Sequence, residues 1–200
     1  MPNIHISGYP ACGKTSICLA EAKNNLLNGG RVFWLSCENI DFERFTQIMG
    51  DIPISNASKF HSLEFGAKRT NNTKLESFDL AIQQLIRMCS NLPTTKLVII
   101  DGWDHIMDKA SKKLRIDSIS DLVDSSKVND FEIMVTSLSY HDASNNSEKY
   151  KIRAKAEFEN LKFENWLIIP DSNNQKLRKI IKPNEVTLYK MIREGIEITN

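Results

Sequence analysis

Two rhythms of apolar and polar residues run along this chain. A short apolar run over residues 3–7 ends in a Gly-rich turn, and residues 14–27 follow with Ala- and Leu-rich helical spacing, stopped by Gly29 and Gly30. Residues 31–36 predict a second strand. Residues 41–49 predict a helix with Phe42, Phe45 and Ile48 on its core face. Residues 51–73 are mixed and polar, and predict loops around one short strand over 60–63. The helical period returns at 75–91, where Phe78, Ile82, Leu85, Ile86 and Cys89 share a face. Leu97-Val98-Ile99-Ile100 is an unbroken, largely β-branched run, as a strand buried on both faces requires. Residues 116–126 predict a helix, 131–137 a strand, 140–155 a polar and basic loop, and 156–161 a short helix. Four strand-like runs close the chain, at 166–169, 177–181, 187–192 and 196–199, joined by tight turns. Alternation of strands and helices followed by hairpins predicts an α/β fold: a mainly parallel sheet flanked by helices, extended by antiparallel C-terminal strands.

Composition narrows the class. A chain of 200 residues suits one domain, residues 1–200, and 41% hydrophobic with 26% charged residues is ordinary for a globular protein. No apolar run approaches the ~20 residues of a membrane span, and no signal peptide is visible at the start. Cys12, Cys18, Cys37 and Cys89 form no CxxC or zinc spacing and read as reduced core thiols, so a cytoplasmic protein is expected. The net charge of +1 does not bear on nucleic acid, because local patches decide that. No histidine has metal-ligand spacing. His5, Trp34 and Trp166 read as strand core, and Trp103 as packing near Asp101.

The chemistry is concentrated at the first turn. Gly8-Tyr9-Pro10-Ala11-Cys12-Gly13-Lys14-Thr15 fits the phosphate-loop pattern without a mismatch, with a strand before it and a helix after it. The glycines let backbone N–H groups curl inward onto phosphate oxygens, and the helix, entered through Ser16, adds its positive end. Lys14 would reach the β- and γ-phosphates and the Thr15 hydroxyl would bind Mg²⁺. Leu97 to Asp101 is an apolar strand ending in an acid. Asp101 would emerge beside the loop and hold the metal through water. ATP and Mg²⁺ are the expected ligands.

Four further stretches resemble the RecA superfamily of recombinases and their KaiC-like and DnaB-like relatives: GGRVFWLSCENIDFER (29–44), KLVIIDGWDHI (96–106), MVTSL (134–138) and LRKIIKPNEVTLYKMIREGIEI (177–198). Short recombinase paralogues that consist of the ATPase core are the nearest in pattern. The resemblance implies an ATPase acting on DNA in recombination or repair, as a paralogue or mediator. It assigns Glu38 as the base that deprotonates the attacking water, on a strand next to the phosphate-loop strand. It also makes Lys182 a cation extended toward a neighbouring subunit's nucleotide. Two basic segments sit where such proteins place DNA-binding loops: Lys109, Lys112, Lys113 and Arg115, then Lys149, Tyr150, Lys151, Arg153 and Lys155. Single-stranded DNA and other RecA-like subunits are the implied partners, and no membrane. The first strand begins almost at Met1, so self-assembly into long filaments is not expected. Thr136-Ser137-Leu138 lacks the family's sensor amide, which implies slow hydrolysis. A small P-loop kinase and a nucleotide-stabilised, non-catalytic adaptor subunit are the competing readings.

Overall fold

An unbroken aliphatic strand has to be covered on both faces, and residues 97–100 are: none of the four exposes any surface. Burying each such side chain contributes about 1.5–3 kcal/mol. The computed structural model describes residues 2–66, 69–70, 73–74, 77–105, 109–141, 150–174 and 176–199, with backbone alone at 69–70, 73–74, 109–110 and 141. In chain order the elements are β1 (Ile4–Gly8), α1 (Lys14–Leu27), β2 (Arg31–Ser36), α2 (Phe42–Met49), α3 (Ile54–Ala57), β3 (Phe60–Glu64), β4 (Arg69–Thr70), β5 (Thr73–Lys74), α4 (Phe78–Asn91) and β6 (Thr95–Asp101). There follow α5 (Lys109–Asn129), β7 (Glu132–Leu138), β8 (Tyr140–His141), β9 (Tyr150–Lys151), α6 (Lys155–Asn160), β10 (Glu164–Pro170), β11 (Arg178–Lys182), β12 (Glu185–Ile192) and β13 (Gly195–Thr199).

Nine of the strands form one sheet in the order β13-β12-β11-β10-β1-β7-β6-β2-β3. From β3 to β10 neighbouring strands run parallel. From β10 to β13 they run antiparallel. The fold is therefore α/β with antiparallel C-terminal strands, as the pattern predicts. Alternating side chains serve opposite faces. Ile6, Trp34, Leu97 and Ile99 pack with Leu19 and Ala22 of α1 and Ile48 of α2. Phe33, Leu35, Val98 and Ile100 pack with Leu85 of α4, Leu122 of α5 and Phe158 of α6.

Several expectations change. The segment 109–115 is not a loop but the first turns of α5, which runs 21 residues instead of eleven; its Lys, Ala, Leu and Arg are all good helix formers. Helix α4 starts at Phe78 behind Ser77, whose side chain accepts from Leu80 N, while 75–76 lie outside the described residues. Phe42 is not core but 82% exposed, whereas Ile48 is fully buried. Six residues along an α-helix turn the side chain away by roughly 120° from the starting face. The basic loop expected over 140–155 contains the short pair β8–β9 and the start of α6, and 142–149 lie outside the described residues.

Candidate nucleotide site

The phosphate loop starts at Gly8, the last residue of β1, at the edge where the parallel strands β2, β6 and β7 also end. Ala11 and Gly13 have positive φ, 57° and 103°, which curls the loop. Gly13 also sits close under β12, where an added Cβ would lie 2.5 Å from Met191 Sδ and push that side chain aside. At Gly8 it would lie 2.6 Å from Cys12 Sγ and 3.0 Å from Ile168 Cβ. Helix α1 starts with no side-chain cap and no acid in its first turn, so its N-terminal end keeps its positive character. Lys14 folds over the loop and donates to Gly8 O at 2.9 Å and Tyr9 O at 3.1 Å.

Strand β6 delivers Asp101 to the same place. Thr15 Oγ1 donates to Asp101 Oδ2 at 2.8 Å, and Thr136 Oγ1 donates to Oδ1 at 2.6 Å. Burial pushes the Asp101 carboxyl up from its ordinary range, and the bonds from Thr136 and Thr15 and the charge of Lys14 oppose that. A hydroxyl and a carboxylate in contact are hard oxygen ligands of the kind Mg²⁺ takes, and Lys14 beside an uncapped helix start suits a phosphate. The donor set fits both groups. Thr136 had no assigned role from sequence, because only the absence of an amide stood out there. Its hydroxyl also accepts from Gly102 N at 2.8 Å, fixing the turn that carries the acid.

Glu38 follows β2, but β2 is not next to β1: β7 and β6 lie between them. Its negative charge is the smallest of the influences on the Asp101 carboxyl, adding to the upward push of burial. Its side chain is 69% exposed and stands 3.2 Å from His105 Nε2.

The loop is braced by distant elements that no local pattern reveals. Tyr189 of β12 donates to Cys12 O at 2.6 Å. Arg44 of α2 donates to Ser16 Oγ at 2.9 Å, to Ile192 O at 2.8 Å, to Arg193 O at 2.9 Å and to Gly195 O at 2.7 Å. One guanidinium thus joins the first turn of α1 to the β12–β13 turn. Beneath the loop, buried His5 bonds Asn165 Oδ1 through Nδ1 at 2.7 Å and Ser137 Oγ through Nε2 at 2.9 Å. An amide oxygen only accepts, so Nδ1 carries the proton and Nε2 accepts. Burial pulls the His5 imidazole down to about 4, against the Asn165 bond. Ser137 in turn meets Ser7 at 3.1 Å.

The basic segments have mixed surroundings. Arg115 donates to Trp103 O and His105 O and lies over the Phe65 and Phe78 rings, a structural placement. Arg153 pairs with Asp104, whose side chain is 3% exposed, at 2.9 Å. Lys112 pairs with Glu157, and Lys155 with Glu159 at 3.7 Å. Lys113 is exposed. Lys149 lies outside the described residues, as does the side chain of Lys109. Lys182 pairs with Glu185 at 2.8 Å and lies over Trp166. An open groove of ≈ 930 Å³ brings Tyr150, Lys151, Lys155 and Lys182 to one surface, over a floor that includes Leu167 and Ile181. Tyr150 also approaches Tyr9 of the loop, with ring centroids 6.2 Å apart.

No protein-family model matches the sequence, and no curated protein is similar to it in sequence. Its fold is that of known structures. A crystal structure of the RadB recombinase superposes with a TM-score of 0.73, covering 100% of this chain and 91% of that one at 15% identity. That likeness shows a RecA-like fold.

Proposed function

We propose that this chain is a single-domain, cytoplasmic ATPase that binds ATP with Mg²⁺ on residues 8–16 and hydrolyses it slowly. It acts on DNA in recombination or repair, as a recombinase paralogue or mediator assembled with copies of itself or other RecA-like subunits. The observation that carries the reading is the contact between Thr15 and Asp101 at 2.8 Å, beside Lys14 and an uncapped helix start. Mg²⁺, when bound, neutralises charge on the phosphate oxygens. In the step itself a water oxygen bonds to the γ-phosphorus, the bond from that phosphorus to the β-bridging oxygen breaks, and Glu38 takes the water proton before releasing it to solvent. The solved neighbour is a recombinase by name, which supports DNA as the substrate. The groove with Tyr150, Lys151 and Lys155 supports it too, since cations and a stacking ring suit a single strand.

The test is calorimetric titration of ATP with Mg²⁺, followed by turnover with and without single-stranded DNA. Lys14→Ala is expected to weaken ATP binding by roughly tenfold to a hundredfold, because a charge-assisted phosphate contact is lost. The fold should persist, since the hydrogen bonds of Lys14 go to the loop itself, to Gly8 O, Tyr9 O and Cys12 Sγ. Unchanged affinity in this variant overturns the nucleotide site. A second reading, a nucleotide-stabilised adaptor subunit, draws on Thr136 standing where an amide sensor is expected; binding without turnover selects it. Phosphate transferred to an added acceptor selects a small kinase instead.

A further inference from the structure

We infer that His105 is a positioning residue for Glu38, holding one carboxylate oxygen so that the other faces the phosphate end of the loop. The inference rests on the reading of this chain as an ATP hydrolase.

The two halves of the pair differ in exposure and in how firmly their main chains are held. Glu38 is 69% exposed, and Ser36 holds its main-chain oxygen at 2.7 Å, not its carboxylate. An exposed glutamate samples several rotamers, and only a fraction of them aim a lone pair at water beside a phosphate. The neighbouring Asp101 carboxylate adds repulsion between the two acids, since the charge of Glu38 is felt at Asp101. His105 is held through its main chain. Its N–H donates to Gly102 O at 3.0 Å, and its carbonyl accepts from Arg115 at 2.9 Å. Arg115 is itself held against Phe65 and Phe78 and bonds Trp103, a fully buried residue. The imidazole Nε2 then meets Glu38 Oε1 at 3.2 Å. An Nε2–H donor here fixes Oε1 and leaves Oε2 to accept from water. The ring takes no proton in the step; the water proton goes to Glu38 as before. Arg115, placed by sequence in a basic loop, is the foundation of this arrangement.

The test compares His105→Ala, His105→Gln, Glu38→Gln and Glu38→Ala with the wild-type chain, using ATP and Mg²⁺. His105→Ala is expected to lower kcat by roughly tenfold, as loss of orientation does, with KM and the calorimetric affinity for ATP unchanged. His105→Gln, whose amide N–H reaches a similar place, should restore most of the rate, which a merely structural role would not allow. A second readout needs no turnover: the His105 Nε2 proton resonance in nitrogen-edited spectra should lie downfield in the wild type and move upfield in Glu38→Ala. A slow Glu38→Gln with a fully active His105→Ala overturns the inference alone. A Glu38→Gln at the wild-type rate, or a wild type without turnover, overturns the hydrolase reading beneath it.

Discussion

Thr136 joins the acid of the site to the turn that carries it, donating to Asp101 and accepting from Gly102 N. Thr136→Val keeps the shape and removes both bonds. It should cost about 1–3 kcal/mol of stability, the usual cost of stranding buried polar groups. Because the Thr136 bond opposes the upward push of burial on Asp101, the variant should also need more Mg²⁺ to bind ATP. Thermal unfolding and a Mg²⁺ titration measure the two effects, and Thr136→Ser should behave as wild type. His5 supports a pH prediction. Its imidazole is held down at about 4 by burial, against roughly 6.5 in an unfolded chain. Between those values the unfolded state binds a proton that the folded state does not. The stability present above about pH 6.5 is therefore lost as pH falls toward 4, by about 3 kcal/mol in all. His5→Gln should flatten that limb of a denaturation series, and an unchanged slope would show that the imidazole is not buried neutral.

Between elements, Arg44 is the joint. Its guanidinium spans from Ser16 at the start of α1 to the β12–β13 turn. Arg44→Met keeps the length of the side chain and loses all of those bonds. Stability should fall by about 2 kcal/mol or more, because hydrogen bonds to a charged group are worth more than neutral ones. ATP affinity should fall with it, since Ser16 and the turn are released together; a denaturant midpoint shared with the wild type would refute the joint. Such contacts explain what sequence could and could not reveal. The loop, the Asp101 strand and the antiparallel tail were legible because each is written in consecutive residues. Arg44 and Ile192 lie 148 residues apart, and Tyr189 and Cys12 lie 177 apart. No local rhythm records such a meeting. Phe42 shows the converse limit: a three-residue spacing names a helix, but not which residue its curved path turns outward.

Across the molecule, the cations divide by what they already hold. Arg115 and Arg153 are tied to the interior, so replacing them tests the fold before it tests any ligand. Lys113 and Lys155 are surface cations, Lys155 sharing a long contact with Glu159. If single-stranded DNA crosses this surface, log affinity should fall against log salt by about 0.7 for each phosphate neutralised. Lys113→Ala with Lys155→Ala should flatten that slope by roughly one to one and a half units, with ATP affinity unchanged. Anisotropy of a labelled oligonucleotide across a salt series reads both, and no binding at low salt would remove direct DNA contact.

The place of β1 in the sheet has a consequence for how the chain is made. It is made before both of its neighbours, yet it lies between β7 and β10, with Ile4 opposite Met134 on one side and Glu164 on the other. Closing those pairings spans most of the polypeptide, and such long-range contacts form slowly. The brace from Tyr189 arrives later still. A nascent chain ending before β10 would thus carry the complete phosphate motif without the strand partner and brace that shape it. Chains stalled at about residue 160 should fail to retain ATP, while full-length chains gain protease resistance from it. Nucleotide would then reward only finished copies, and its absence would mark interrupted ones for degradation.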